Sequence, residues 1–404
     1  MTITINNKNK KPNVPNLRFK EFQGEWEKTK FGDIAVVVGG GTPDTNTSQY
    51  WNGKIQWFTP SEIGRNKYVY NSVRTISEEG LNKSSAKLLP IGTILLSSRA
   101  TVGECSINKK ECTTNQGFQS LIPKENISNE FVYYLIQTKR KDLIRKSCGS
   151  TFLEISANEV RKIVVSIPTI KEQDKIAKLL SLLDERIATQ NKIIDKLQTL
   201  IKGIMASCQN SGLKNNTWGK ISLCDVLTER KELNKQLHPV FSVSVSQGVI
   251  NQIEYLGRSF AAKDTSKYNV VHYGDIIYTK SPTGDFPYGI VKQNYNQEEV
   301  AVSPLYGVYA PKTYSIGVFL HEYFKSNVNT YNYLHPLIQK GAKNTINITN
   351  QHFLENKVAM PFNDDELESI SKLLLSLNAK VVLMQHIKGN YEQQKQYLLR
   401  QMFI

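Results

Sequence analysis

The stretch "EISANEVRKIVVSIP", residues 154–168, is answered 193 residues later by "NITNQHFLENKVAMP", residues 347–361. Each closes on a proline, and a long helical pattern follows directly. Proline fixes its own backbone and turns the preceding residue away from helix, so it marks where an extended segment ends. A matched pair of such borders is the signature of a chain written twice.

The rest of the repeat lies upstream. "WEKTKFGDI", with Trp26 and Asp33, stands 192 residues before "WGKISLCDV", with Trp218 and Asp225. Between these anchors and the prolines, "IGTILLSSRATVG" around Gly92 resembles "YGDIIYTKSPTG" around Gly274, here at an offset of 182. An offset that shrinks in the middle and recovers at the end means a shared frame with different interior loops.

After Pro168 the series Ile176, Leu180, Leu183, Ile187, Gln190, Ile194, Leu197, Ile201, Ile204 steps by four and three residues, broken only by Gln190. After Pro361 the series Ile370, Leu374, Leu377, Val381, Met384, Lys388, Tyr391, Lys395, Leu398, Met402 does the same with two lysine interruptions. Both are coiled-coil seams, and two of matched length bury themselves most simply on each other, antiparallel. A helix of about 37 residues is about 55 Å long.

The expected fold is therefore α+β. Residues 16–168 form one globular domain, 169–209 a helical spacer, 210–361 a second, similar domain, and 362–404 a second spacer. Two antiparallel helices would separate the domains about a pseudo-two-fold axis, a geometry suited to two half-sites on DNA.

Composition agrees with a polyanionic partner. The chain carries a net charge of +15, with 21 basic against 15 acidic residues in 16–168 and 15 against 11 in 210–361. A field of that sign draws in nucleic acid. No apolar run approaches the roughly 20 residues that span a bilayer, and "MTITINNKNKKPN" lacks a signal-peptide centre. A cytoplasmic address and no membrane partner are expected.

Enzymatic readings find little support. "VVVGGGTPDT", residues 36–45, lacks the Lys and Ser/Thr that a phosphate loop needs after its last glycine. The five cysteines form no C-x-x-C pair, the six histidines show no H-E-x-x-H spacing, and no metal site is expected. A nuclease would need carboxylates clustered in both copies, and the paired acids Asp33 and Asp225 follow a tryptophan in a structural turn.

Candidate DNA contacts fall in three places. The glycine-rich loop offers Thr42, Asp44, Thr45, Asn46 and Thr47, while Trp51 and Trp57 nearby are read as core. "LLSSRATVG" places Ser97, Ser98, Arg99 and Thr101 beyond a strand, on a presented loop, and "IIYTKSPTG" does the same for Thr279, Lys280, Ser281 and Thr283. A basic stretch supplies Lys139, Arg140, Lys141, Arg145 and Lys146, with Lys340, Lys343 and Asn344 as counterparts. Amides and hydroxyls suit base edges or phosphates, arginine suits guanine, and lysine suits phosphate.

Taken together, "GGGTPDTNTSQYWNGKIQW", "IGTILLSSRATVG", "TNQGFQSLIP" and "IPTIKEQDKIAKLL" resemble the specificity subunits of type I restriction-modification systems. The last holds the family's P-x-x-x-E-Q pattern at Pro168, Glu172 and Gln173; the second copy lacks both the G-G-T-P loop and the Glu-Gln pair. The resemblance implies a non-catalytic reader of double-stranded DNA with two target recognition domains for a bipartite sequence. It implies two adenine methyltransferase (modification) subunits docked on the helices, with restriction/translocase subunits joining them. No cofactor belongs to this chain; S-adenosylmethionine, ATP and magnesium would sit on the partners. "GGGTPDT" would then bring a recognition loop to DNA. The alternative is a structural adaptor or an orphan DNA-binding protein without a restriction role.

Overall fold

The computed structural model describes residues 12–149, 153–340 and 346–404. Two compact units emerge: one comprises the chain up to Thr189 with Ile387–Ile404, the other Gln190–His386. The borders fall inside two long helices, Ile170–Lys214 and Asp364–Gln401.

The stretches that announce the repeat pair with each other inside each unit. Strand Glu27–Lys30 runs antiparallel to Val164–Ile167, and Trp218–Ser222 runs antiparallel to Lys357–Pro361. Each two-stranded clasp leads through its proline into a long helix, and an indole ties the two together. Trp26 Nε1 donates to Glu172 at 3.3 Å, and Trp218 Nε1 donates to Glu366 at 2.7 Å. Glu172 is almost fully buried and also receives Arg18 at two points, each 2.8 Å. The second copy therefore keeps the glutamate of the E-Q pair one residue later than the sequence pattern would place it.

Above each clasp stands the same sheet. In the first unit the strands lie in the order Ala35–Gly39, Gln119–Pro123, Ile94–Leu96, Cys105–Asn108, with Tyr68–Val69 added at the edge. In the second the order is Leu227–Glu229, Gly307–Pro311, Ile276–Tyr278, Val291–Gln293. These are equivalent strands in equivalent order, all antiparallel among the four. A helix covers each sheet: Asn129–Thr138, buried from Phe131 to Ile136, and Tyr314–Tyr323, buried from Ile316 to Glu322.

The insertions explain the changing offset. The first unit inserts a three-stranded sheet of Arg74–Ile76, Trp51–Phe58 and Cys112–Thr114. In its place the second carries the hairpin Phe241–Ser244/Gly248–Asn251 and the pair Asn269–Val271/Val300–Val302. Its connection between the two central hairpin strands, residues 279–290, is also longer than the equivalent 97–104.

The long helices complete each core. In the first unit Ile176, Ala177 and Leu180 share a cluster with Leu399, Met402 and Phe403, with Leu398 packed against it. Beside it Asp184 meets Lys395 at 2.6 Å, and Leu183 is buried while Ile187 and Tyr391 are half-buried. In the second unit Ile194 and Ile201 share a cluster with Leu374, Leu377 and Val381, flanked by Leu197, Ile204 and Met384. Within each unit the start of one helix meets the end of the other, which is antiparallel pairing. The first helix runs to Lys214, beyond the expected 209, and at Gly212 the indole of Trp218 lies against it; a Cβ there would sit 2.0 Å from the ring.

Candidate nucleic-acid interface

Register places the variable loops of each unit at one end of its sheet. Gly39 is opposite Gln119, and Leu96 is opposite Cys105, so segments 40–47, 97–104 and 115–118 leave together. Phe58 beside Thr114 brings 59–62 to the same edge. At the other end Ala35 faces Pro123, and Phe31 N donates to Ile163 O beside the clasp. In the second unit Tyr278 faces both Gly307 and Val291, so segments 279–290 and 303–306 leave from the matching edge.

The glycine stretch is explained by close packing. A Cβ on Gly40 would lie 1.9 Å from the Asn115 carbonyl, and one on Gly41 2.3 Å from Ser85 Oγ. Only glycine lets these backbones approach. Trp57 Nε1 donates to Gly41 O at 2.9 Å, and Trp51 Nε1 to Asp44 O at 3.0 Å, so two buried indoles fasten the loop. Asp44 accepts from Asn46 N and Thr47 Oγ1, both at 3.0 Å, closing a local turn. Asp44, Thr45 and Asn46 are exposed; Thr42, whose hydroxyl donates to Gln116, and Thr47 are half-buried.

Three residues expected on presented loops are inside instead. Ser97 and Ser98 are fully buried, because the strand continues through them: Ser97 N donates to Glu104 O, Ser98 N to Gly117 O, and Ile155 N to Ser98 O. Thr279 is buried likewise and accepts from Ile290 N at 3.1 Å. Thr101 and Ser281 are exposed, and Thr283 is half-buried in a turn closed by Phe286.

Arg99 and Lys280, the basic residues of the two matching segments, do not occupy equivalent places. With Gly92 matched to Gly274, Lys280 falls on Ser98, and Arg99 on Ser281. Lys280 takes a left-handed backbone (φ 60°) and is half-buried, and burial holds its ammonium below the usual lysine range, with Glu229 opposing.

All three first-unit arginines suggested by the sequence are ion-paired. Arg99 meets Glu154, Arg140 meets Glu104 and Arg145 meets Asp142, each at 2.8 Å. These are exposed pairs of small net worth. Lys139 is half-buried and donates to Ile404 O, and Lys146 lies 3.7 Å from Glu159. Lys141 is exposed without an ion-pair partner among the described residues.

In the second unit Arg230 grips the buried Asp275 at 2.7 and 3.0 Å. Beside the 279–290 loop, Tyr331 stacks on His335 at 5.0 Å, and Tyr288 joins them at 5.4 and 6.0 Å. Lys340 lies in the strand Gln339–Lys340, described in its backbone only; Lys343 and Asn344 lie outside the described residues.

One residue that sequence reasoning missed is Arg74. Its guanidinium carbon sits 3.6 Å from the ring centroid of Trp51 and 5.4 Å from that of Trp57. The stack depends on an irregularity in which both Trp51 and Ile55 pair with Ile76, which no spacing in the sequence announces.

Among the described residues no helix is long and apolar enough to cross a membrane, and no group of three or more His, Cys, Asp or Glu is placed to hold a metal ion.

Comparison with known proteins agrees with this architecture. Residues 23–199 match the family model described as Type I restriction modification DNA specificity domain. The chain is 40% identical over 180 residues to the type I restriction enzyme MjaIX specificity subunit of Methanocaldococcus jannaschii, covering 43% of this chain and 42% of that protein. It is 33% identical over 175 residues to the EcoR124I/EcoR124II specificity subunit of Escherichia coli, covering 42% and 43%. These matches thus span about two-fifths of the curated relatives' length. In fold the likeness extends further: the S subunit from M. genitalium aligns over 97% of this chain and 99% of its own, with a TM-score of 0.60 at 14% identity. A chain from a structure of type I restriction-modification complex assembly aligns over 93% and 96%, with a TM-score of 0.52 at 14% identity. Residues 23–199 thus resemble a type I restriction-modification DNA specificity domain, and the chain as a whole has the fold of the specificity subunits of those systems.

Proposed function

We propose that this chain is the non-catalytic DNA-reading subunit of a type I restriction-modification complex. Each globular domain reads one part of a bipartite double-stranded target, and the long helices dock two adenine methyltransferase subunits, on which restriction subunits assemble. S-adenosylmethionine, ATP and magnesium belong to those partners. The observation that carries the reading is the sheet built twice in one strand order, with its variable loops gathered at the end away from the clasp. A constant frame with divergent loops is how one fold reads two unlike half-sites. The net charge of +15 supplies the phosphate attraction that such binding needs.

The test is co-expression with the cognate adenine methyltransferase, followed by mapping of methyl-adenine in host DNA. One split motif is expected, and exchanging residues 16–168 for those of another specificity subunit should change one half of it only. An assembled complex, supplied with cofactor, that methylates no defined motif would instead favour an adaptor.

A further inference from the structure

We infer that Arg74 is a base-reading residue of the first domain, recognising a guanine in its half-site; the inference rests on the DNA-reading function proposed above. Arg74 enters the strand Arg74–Ile76, opposite Trp57 at the end where Trp57 leads into segment 59–62. Val73 N donates to Glu62 Oε1 at 2.7 Å, so the residue before it is tied to that same loop. The backbone of Arg74 therefore lies at the edge where the other loops gather, and its side chain reaches Trp51, whose indole is bonded to the 40–47 loop.

What distinguishes Arg74 from the other arginines of this domain is how it is held. Arg99, Arg140 and Arg145 face carboxylates at 2.8 Å. Arg74 is exposed, has no carboxylate partner among the described residues, and holds its guanidinium carbon over an indole, 3.6 Å from the ring centroid. Trp51 is only 8% exposed, fixed by its bond to Asp44 O and by an edge-on contact with Trp57 at 5.1 Å. The indole is thus held in place by its own contacts, and it offers the guanidinium a surface before any ligand arrives. Stacking holds the plane while leaving the N–H fork unspent. A planar fork with free donors matches guanine O6 and N7, the commonest specific arginine contact in the major groove. Arg65, on the neighbouring turn, is also exposed but has no aromatic shelf to orient it.

The test uses the full chain assembled with its methyltransferase, comparing wild type, Arg74→Lys and Arg74→Ala by methylation mapping and by binding to DNA in a salt series. Lysine keeps the charge and loses the fork. Arg74→Lys is expected to lose discrimination at one G·C pair of one half-site by roughly 5- to 150-fold, as for a bidentate contact, with the other half-site unchanged. Uniform weakening on all sequences by Arg74→Ala, with a shallower salt dependence and normal behaviour of Arg74→Lys, would mean a phosphate contact and overturn the inference. Wild-type selectivity in both variants would reduce Arg74 to a cover for Trp51 and overturn it equally. Should Arg74→Ala fail to assemble, Arg74→Lys decides alone. A wild-type complex without any split motif would fail the proposed function itself, a result distinct from either outcome at Arg74.

Discussion

The foot of each domain and its far edge follow different rules. At the foot, Trp26 and Glu172 are matched by Trp218 and Glu366, and the strands they close have the same partners in the same sense. At the far edge the exposed side chains do not match. The first domain presents ion-paired arginines and a guanidinium on a tryptophan shelf; the second presents a stack of Tyr288, Tyr331 and His335. The frame is constrained because it must bury a core and seat a helix. The edge is free to change because its exposed pairs contribute little to folding.

If the clasps are equivalent, breaking either should cost the same. Trp26→Ala and Trp218→Ala each empty a buried indole site, and each is expected to lose about 3 to 5 kcal/mol, read as the shift of the urea midpoint of the full chain. A loss for Trp218 far smaller than for Trp26 would break the equivalence. The glutamates sharpen it further. Glu172→Gln leaves Arg18 facing a neutral partner at a buried site, so it should cost more than Glu366→Gln, which sits half-buried and receives only the indole.

A buried position where the frames differ gives the next largest effect. By register Ser106 lies opposite Leu95, and Lys292 lies opposite Ile277 on the equivalent strand. Ser106 is neutral and satisfied, donating to Asn66 O and accepting from Gly64 N. Lys292 is 5% exposed, and burial pushes its pKa down to about 8, with Lys325 adding to the shift and Glu322 opposing it. Between about 8 and the ordinary 10.5 the unfolded chain binds the extra proton, so stability rises with pH across that window. Below about pH 8 the whole penalty is present, about 3 kcal/mol. Lys292→Met should therefore stabilise the chain at pH 7 and give no such gain near pH 10.5. Urea unfolding at both pH values checks it, and an equal effect at the two would place the lysine's charge outside the core.

The sequence carried the frame well because its signals are local or periodic: tryptophan to aspartate, apolar strand to glycine, proline to seam. It carried the edge poorly. Ser97, Ser98 and Thr279 read as loop residues because polar side chains after an apolar run suggest a surface, yet backbone pairing continues through them and encloses them. Glu366 was hidden by a one-residue slip that a fixed-spacing motif cannot absorb, although the helix still delivers it to the indole. Arg74 was invisible because its stack is made across two strands and an irregular register.

The smallest expected effect concerns the glutamine that the second copy lacks. In the first domain Gln173 Oε1 accepts from Ser128 N at 2.9 Å, while Gln173 Nε2 donates to Pro168 O. It thereby ties the start of helix Asn129–Thr138 to the spacer helix, and the Ser128 side chain makes no capping bond. In the second domain Leu367 follows Glu366 where Gln173 follows Glu172, and Leu367 is spent in the core. The equivalent helix is capped locally instead, Thr313 Oγ1 accepting from Ile316 N at 3.3 Å. Thr313→Ala should then cost about 1 kcal/mol, the usual worth of such a cap, and Ser128→Ala only a few tenths. The order should invert for the spacer-side residues, with Gln173→Ala destabilising through its two lost bonds. Equal losses at Thr313 and Ser128 would mean that the helices are capped alike, and that the missing glutamine has no structural substitute.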